Sequence, residues 1–174
     1  MSETGNKNVV VHHVDISSFK SVRDLAEKIN ATESKIDVLI HNAGFVDYIK
    51  KAKTSDGIEL TMATNHYGPF LLTHLLIDLL KKSAPCRIVI VASKTHTLSH
   101  MNPLKDSHLN PVNFLIPGLL YGNSKYANIL TTFELAKRLK EFNITVNCLH
   151  PGMILSVFNM NFDLTADLGR STRF

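Results

Sequence analysis

Four short apolar runs, rich in β-branched residues, recur along the chain and predict four β-strands. They cover residues 8–17, 35–44, 86–93 and 143–152. The stretches "VVV", "VLI" and "IVIV" within these runs are almost continuously apolar, which is typical of strands buried on both faces of a sheet.

Between these runs the apolar positions recur at helical spacing. The pattern predicts helices over residues 17–31, 57–82 and 122–141, and either Ser17 or Ser18 stands where the first helix needs an N-cap. The alternating strand and helix order predicts an α/β fold with a parallel sheet, in a single domain spanning 1–174. In such sheets ligands bind off the carboxyl ends of the strands.

Charge and hydropathy exclude several classes of protein. The formal net charge is +4, but the basic residues are scattered and form no stripe interleaved with aromatic residues, so we expect no nucleic-acid partner. The apolar run "FLLTHLLIDLL" is short and is broken by Thr73, His74 and Asp78, which predicts a buried helix rather than a membrane span. The polar start "MSETGNKN" does not have the pattern of a signal peptide.

The cysteines and histidines give no sign of a disulfide or a metal centre. Cys86 and Cys148 fall in strand-like runs, where we interpret them as reduced, buried thiols. His96, His100 and His108 lie in a loop-like stretch without a Cys or an acidic residue at ligand spacing, so we expect no metal site.

The stretch "YGNSKYANIL" places Tyr121 and Lys125 four residues apart, in the predicted first turn of the third helix. Residues at this spacing share one helical face. An ammonium there favours the phenolate and lowers the pKa of a tyrosine from about 10 toward neutrality, so that it exchanges a proton with an alcohol or carbonyl oxygen. The pair arises readily by chance, and the alternative is an exposed tyrosine beside a solvated lysine.

Two further polar residues suit the same chemistry. Ser93 follows the strand-like "RIVIVA", where its hydroxyl can bind a substrate oxygen; the alternative is a turn serine. Asn65 lies inside an apolar helix, although Asn is a poor helix former and a buried Asn needs partners. It either holds a water in a proton path or makes a structural hydrogen bond to a neighbouring strand.

Two turns complete an ordered set of motifs. Asn42, Ala43 and Gly44 follow the second predicted strand, and the glycine allows the backbone to approach a ligand. Pro151 and Gly152 end the fourth strand. Each turn is unspecific by itself, but chance matching of the whole set, in this order, is improbable.

This set resembles the short-chain dehydrogenase/reductase family, and the similarity spans nearly the whole chain. The segments "DGIELTMATNHYGPFLLTHLL" and "YGNSKYANILTTFELAKRLKEFNITVNCLHPG" resemble its retinol dehydrogenase-like branch. The resemblance implies a doubly wound, Rossmann-like parallel sheet. It also implies hydride transfer between a nicotinamide cofactor and a lipophilic alcohol, aldehyde or ketone such as a retinoid. The cofactor would be NADP(H) or NAD(H), and the resemblance favours NADP.

The resemblance also implies the roles of individual residues. Tyr121 would be the catalytic acid/base, and Lys125 would lower the pKa of Tyr121 and bind the nicotinamide ribose. Ser93 would orient the substrate carbonyl, and Asn65 would anchor a relay water. The cofactor-binding residues that it implies are Asp15, Asn42, Ala43, Gly44, Tyr121, Lys125, Pro151, Gly152 and Ser156. Ser156 stands where the family usually has a threonine.

The glycine-rich turn of the form TGxxxGxG, which binds the pyrophosphate in this family, has no counterpart in the sequence. We therefore expect an incomplete fold that lacks the first βαβ unit, the last strand and the C-terminal lid. The strands near residues 9–14 and 38–41 would then lose partners. We expect a marginally stable or aggregation-prone chain, or one in which these two segments pair directly.

Two functions of different classes stay open. The chain is either a fragment or short isoform of an oxidoreductase, or a non-catalytic interaction protein that has lost cofactor binding. A sugar-nucleotide epimerase-like relative also uses Tyr-x-x-x-Lys, but the Asn-Ala-Gly turn argues against it. By resemblance we expect a homodimer through the helices at 57–82 and 121–141, and a location in the cytoplasm or on the cytosolic face of the endoplasmic reticulum.

Overall fold

The computed structural model describes residues 5–46, 52–99 and 117–152. Its α-helices are α1 (Phe19–Thr32), α2 (Leu60–Met62), α3 (Gly68–Leu75), α4 (Ile77–Lys82) and α5 (Pro117–Leu139). A π-helical turn (Ala63–Tyr67) joins α2 to α3, and 3-10 turns cover Lys94–Leu98 and Lys140–Phe142. The strands are β1 (Val38–His41), β2 (Cys86–Val91) and β3 (Ile144–Leu149).

The three strands form one parallel sheet in the order β1-β2-β3. Val38 pairs with Arg87, and Cys86 pairs with Ile144. Because the strands are parallel, their carboxyl ends lie at the same edge of the sheet. The predicted parallel sheet with connecting helices is confirmed.

The predicted strand over residues 8–17 is wrong. Residues 8–14 adopt no strand, and Val10 and Val11 are 74% and 81% exposed. The proposed direct pairing of residues 9–14 with 38–41 is also wrong, since β1 pairs only with β2 among the described residues. A β-branched run favours an extended backbone, but it becomes a strand only where a partner supplies the hydrogen bonds.

The first predicted helix is confirmed to within two residues at its start. Ser18 caps α1, and its hydroxyl accepts a hydrogen bond from the Ser21 amide at 3.3 Å. This bond satisfies one of the N–H groups that a helix start leaves free. Val22 and Ala26 are buried on one face of α1 and join the core.

The predicted continuous helix over residues 57–82 is interrupted. It begins only at Leu60, where the buried carboxylate of Glu59 accepts hydrogen bonds from the amides of Thr61 (2.9 Å) and Met62 (2.8 Å). The interruption that follows has a local cause. Pro69 has no N–H, so it cannot donate the α-helical bond to the carbonyl of Asn65, and the chain adopts the π-helical turn there.

The core lies between the sheet and one layer of helices. Buried side chains of α1, α3 and α4 pack with Ile88 and Ile90 of β2 and with Val146 of β3. Successive strand residues point to opposite faces, and Arg87 and Asn147 on the other face are exposed. The apolar runs predict strands that are buried on both faces of the sheet. Among the described residues the helices cover one face, so burial on both faces is not seen there.

Two further expectations concern thiols and membranes. Cys86 and Cys148 are free thiols, of which Cys86 is buried and Cys148 half-buried. In the part of the chain that the structure describes, no helix combines the length and apolar character that crossing a bilayer requires.

Candidate active site

One stripe of α5 carries a run of buried polar side chains. The sequence predicts Tyr121 in the first turn of this helix. The helix begins at Pro117, so Tyr121 instead lies one turn inside it. Tyr121, Ser124, Lys125 and Asn128 recur at three- and four-residue spacing and share a face. Ser124, Lys125 and Asn128 are at most 5% exposed, and Tyr121 is half-buried. Burial of so many polar groups is unfavourable unless each finds a partner.

Lys125 joins three parts of this site. Its Nζ donates a hydrogen bond to the carbonyl oxygen of Val91, at the end of β2, over 2.8 Å. The same atom lies 5.4 Å from the centre of the Tyr121 ring. A Cβ atom at Gly44 would lie 3.3 Å from it. Burial lowers the pKa of Lys125 from 10.5 to about 8, so the side chain is still an ammonium at pH 7.

Asn65 is almost fully buried, and its side-chain amide binds the turn that follows β1. Its Oδ1 accepts from the Phe45 amide, and its Nδ2 donates to the Phe45 carbonyl, both over 2.7 Å. The second Nδ2 proton goes to the hydroxyl of Ser124 at 3.0 Å. This geometry is the structural role considered from the sequence, and the role as anchor of a relay water stays a prediction.

Ser93 begins the 3-10 turn that follows β2. Its Oγ accepts a hydrogen bond from the Thr95 amide at 3.3 Å. Among the described residues, no acceptor takes the proton of the Ser93 hydroxyl. The turn packs closely on α5, because a Cβ atom at Gly122 would lie only 2.7 Å from the Thr95 carbonyl oxygen. A glycine directly after Tyr121 therefore allows the segment that carries Ser93 to approach the helix.

The cofactor-binding residues implied by resemblance lie in different surroundings. Asn42, Ala43 and Gly44 are exposed directly after β1, and Pro151 and Gly152 are exposed after β3. These two turns and Ser93 share the carboxyl edge of the sheet. Ser156 lies outside the described residues.

Asp15 is the exception, because it follows no strand of the sheet. Its Oδ1 accepts hydrogen bonds from the amide (3.0 Å) and the hydroxyl (2.7 Å) of Ser17, in the turn before α1. Asp15 is exposed, and it stays a predicted cofactor contact.

Sequence reasoning missed Ser124 and Asn128. Asn128 Nδ2 donates to the backbone carbonyl of Asn65 at 3.0 Å, and its Oδ1 lies 3.0 Å from Nδ1 of His66. Both missed residues lie three or seven positions after Tyr121. That helical spacing, which places two further polar side chains on the same face as Tyr121 and Lys125, is the signal that identifies them.

A small pocket between α3 and α5 contains two half-buried imidazoles, His41 and His66. Thr73 donates its hydroxyl proton to the Pro69 carbonyl, so Nε2 of His41, 2.7 Å from the Thr73 Oγ1, is the donor of that pair. Burial lowers the pKa of His41 to about 4. Within residues 5–46, 52–99 and 117–152 there is no group of three or more potential metal ligands.

Comparison with known proteins decides the family of this chain. The family model described as short chain dehydrogenase matches residues 1–102. The chain belongs to the short-chain dehydrogenase family. The predicted membership is thus confirmed, and the relatives of this short-chain dehydrogenase place it in the retinol dehydrogenase-like branch.

Two such relatives show how much of the chain is shared. Human retinol dehydrogenase 11 is 46% identical over 153 residues, which cover 88% of this chain and 47% of that protein. Mouse retinol dehydrogenase 14 is 46% identical over 146 residues, which cover 84% of this chain and 42% of that protein. The chain therefore spans about half the length of the curated relatives it matches.

Solved structures of similar fold support a Rossmann-type sheet. A protein of Mycobacterium Paratuberculosis is 35% identical with a TM-score of 0.71, and the match covers 91% of this chain and 55% of that one. A short chain dehydrogenase from Burkholderia cenocepacia, solved in complex with NADP, is 26% identical with a TM-score of 0.68. That match covers 91% of this chain and 59% of the other.

Proposed function

We propose that this short-chain dehydrogenase catalyses the interconversion of a lipophilic alcohol and its aldehyde or ketone, such as a retinoid, with NADP(H) or NAD(H). One observation carries the proposal. The buried ammonium of Lys125 lies against the ring of Tyr121 and beside Gly44, at the edge of the sheet where parallel α/β folds bind ligands.

The residues at this edge fit a nicotinamide dinucleotide. Gly44 is exposed, and the absence of a side chain there leaves the backbone open next to Lys125. The turns at 42–44 and 151–152 would line the cofactor, and Tyr121 and Lys125 would hold its ribose. When bound, the nicotinamide would supply or accept the hydride. We favour NADP because the structural relative from Burkholderia cenocepacia holds it.

The side chains of the site would carry the proton part of the reaction. In the reductive direction the Tyr121 hydroxyl donates a proton to the carbonyl oxygen, and in the oxidative direction the phenolate takes the proton of the alcohol. The adjacent ammonium of Lys125 stabilises the phenolate. The Ser93 hydroxyl donates a hydrogen bond to the same substrate oxygen and so favours the developing negative charge.

Calorimetric titration of NADPH, and then of NADH, into the purified chain tests the proposal, with far-UV circular dichroism to verify folding. We expect micromolar binding that Gly44→Ala weakens, because the added methyl crowds Lys125. Gly118→Ala is the matched control, since no atom lies within 4 Å of a Cβ atom at that position. A folded chain that binds neither dinucleotide would contradict the oxidoreductase proposal.

A non-catalytic interaction function is the second candidate, and the exposed apolar surface at the edge of the sheet favours it. Ile40 on the edge strand β1 is 59% exposed, and the valines of residues 9–11, which lie outside the sheet, are exposed as well. Exposed strand edges readily pair with another chain. A folded chain without dinucleotide binding would support this function in place of catalysis.

We also propose a homodimer through the helices within 57–82 and 121–141. Phe70 on α3 and Phe133 on α5 support it, because they are 46% and 70% exposed. Sedimentation velocity should show a dimer that Phe133→Glu converts to a monomer, whereas Leu149→Glu on β3 leaves it intact. On the basis of the family resemblance, we also propose that the protein is located in the cytoplasm or on the cytosolic face of the endoplasmic reticulum.

A further inference from the structure

We propose that Ser124 and Asn128 are positioning residues, which hold Tyr121 and Lys125 in place by fixing Asn65 between α5 and the turn that follows β1. The inference rests on the proposed oxidoreductase function and deepens it. Neither residue is assigned a role by the sequence motifs, and neither needs to contact the substrate.

Asn65 is held by protein groups at every polar atom of its side chain and at its carbonyl. Oδ1 and one Nδ2 proton bind the backbone of Phe45, and the other Nδ2 proton binds Ser124. Its carbonyl oxygen accepts from Asn128. That carbonyl lacks its usual α-helical donor because the fourth residue after it is Pro69, so the side chain of Asn128 supplies a donor that the helix cannot.

The directions of these hydrogen bonds are determined by their partners. Ser124 donates its hydroxyl proton to the carbonyl of Tyr121 over 2.8 Å, so its oxygen is the acceptor for Asn65. Asn128 uses Nδ2 as the donor to Asn65, so its Oδ1 accepts the proton of His66 Nδ1. Ser124 and Asn128, one turn apart on α5, thereby bind Asn65 through its side chain and through its backbone carbonyl. We call these two residues together the clamp.

The clamp fixes the turn after β1 relative to Lys125. Asn65 binds Phe45, which directly follows Gly44, and a Cβ atom at Gly44 would touch both Lys125 Nζ (3.3 Å) and Asn65 Oδ1 (3.9 Å). Loss of either half of the clamp would let this turn move away and admit water to the ammonium. Buried polar networks of this kind rigidify a site only while every member is satisfied.

Thr132 provides a matched control on the same stripe of α5. It is 5% exposed, and its hydroxyl donates over 2.8 Å to the carbonyl of Asn128 within its own helix. Thr132→Val therefore removes a buried hydroxyl bond of similar length, but it leaves the side-chain bonds of Asn65 in place.

The test compares Ser124→Ala, Asn128→Ala and Thr132→Val with the unchanged 174-residue chain. The titration of Lys125 is followed by NMR of lysine labelled with ¹³C at Cε, and its signal is assigned by its absence in Lys125→Met. Turnover with NADPH and retinal is measured on the same samples, together with melting temperatures.

We expect both alanine variants to raise the titration midpoint of Lys125 by at least about one pH unit, because water then reaches the ammonium. We expect kcat to fall about tenfold or more, with a smaller change in KM. Thr132→Val should change neither quantity. If one alanine variant does not fold, the other still breaks the clamp from the opposite side of Asn65.

Two outcomes overturn the inference. The first is a Lys125 midpoint in the alanine variants equal to that of Thr132→Val, and the second is a kcat within about twofold of the unchanged chain. If the unchanged chain binds no dinucleotide, the oxidoreductase proposal fails, and the titration of Lys125 then decides the positioning role alone, since it needs no cofactor.

Discussion

Nζ of Lys125 lies 5.4 Å from the centre of the Tyr121 ring, one helical turn away on the same face of α5. A cation at this distance from a phenol stabilises the phenolate more than the neutral form. The carbonyl of Val91 fixes the position of the ammonium at the end of β2. The pair is therefore held by the sheet and not only by the spacing of the helix.

Removal of the Tyr121 hydroxyl should abolish proton transfer. We expect Tyr121→Phe to lower kcat with a retinal-like aldehyde by about 10²–10⁴-fold, which is the usual contribution of a positioned acid or base. Binding of NADPH should weaken much less. Tyr126→Phe is the control, because Tyr126 lies on the same helix and packs against a separate cluster around Met62. Equal losses in both variants would contradict the assignment of Tyr121.

Lys125→Met should inactivate the site and yet stabilise the fold. The shift of the Lys125 pKa from 10.5 to about 8 corresponds to about 3 kcal/mol of unfavourable burial of the charge. Loss of the hydrogen bond to Val91 costs about 1–2 kcal/mol. We expect the free energy of unfolding at pH 7 to rise by about 1–2 kcal/mol, measured by urea titration.

The pH dependence of stability provides the check on Lys125. Below pH 8 Lys125 is protonated in both the folded and the unfolded chain. The full free-energy cost of burying its charge therefore applies at neutral pH. Between pH 8 and 10.5 the unfolded chain binds more protons, so stability should rise with pH in the unchanged protein. Lys125→Met should lack this rise, whereas Lys137→Met, at an exposed position near the end of α5, should retain it.

Acid should destabilise the fold through His41. Its pKa is lowered from 6.5 to about 4 by burial, so between these values the unfolded chain binds a proton that the folded chain does not. The contribution of neutral His41 to the free energy of unfolding is then fully present above pH 6.5. It falls as the pH drops to 4, by up to about 3 kcal/mol. His66 in the same pocket adds to the effect, because burial lowers its pKa too, although the bond to Asn128 offsets part of the shift.

Urea unfolding at several pH values, with His41→Gln, measures this contribution. Gln retains a donor for Thr73 but does not ionise, so the loss of stability between pH 6.5 and 4 should be smaller in the variant. His74→Gln is the control, since His74 is exposed on α3. An unchanged acid profile in His41→Gln would show that His41 is not the group responsible.

Gly122→Ala should separate Ser93 from Tyr121. The new methyl would lie 2.7 Å from the Thr95 carbonyl oxygen, which is closer than packing allows, so the 3-10 turn that begins at Ser93 must shift. Overpacking of this kind costs about 1–3 kcal/mol. We expect a loss of that size in unfolding free energy, together with a fall in kcat of at least about tenfold.

Gly118→Ala is the matched variant for this prediction. It adds the same methyl to α5 in open space, and alanine is the better helix former. Its stability should be unchanged or slightly higher, with full activity. Equal behaviour of the two alanine variants would mean that the close approach at Gly122 has no functional role.

Local patterns in the sequence determined the elements whose stability is mainly local or strongly apolar. The helical spacing of α1, its serine cap and the apolar runs of β2 and β3 were sufficient to predict these elements. The pairing of Tyr121 with Lys125 was also predictable, because four-residue spacing on a helix fixes a shared face. The ordered motifs were enough to indicate the family.

Tertiary structure decided the features that depend on contacts between distant residues. Residues 8–14 have the composition of a strand but find no partner in the described chain, and strand formation depends on that partner. The lowered pKa of Lys125 arises from burial among several elements, and the hydrogen bonds of Asn65 join residues up to 63 positions apart. No local pattern encodes such distances, since they follow from how the helices pack on the sheet.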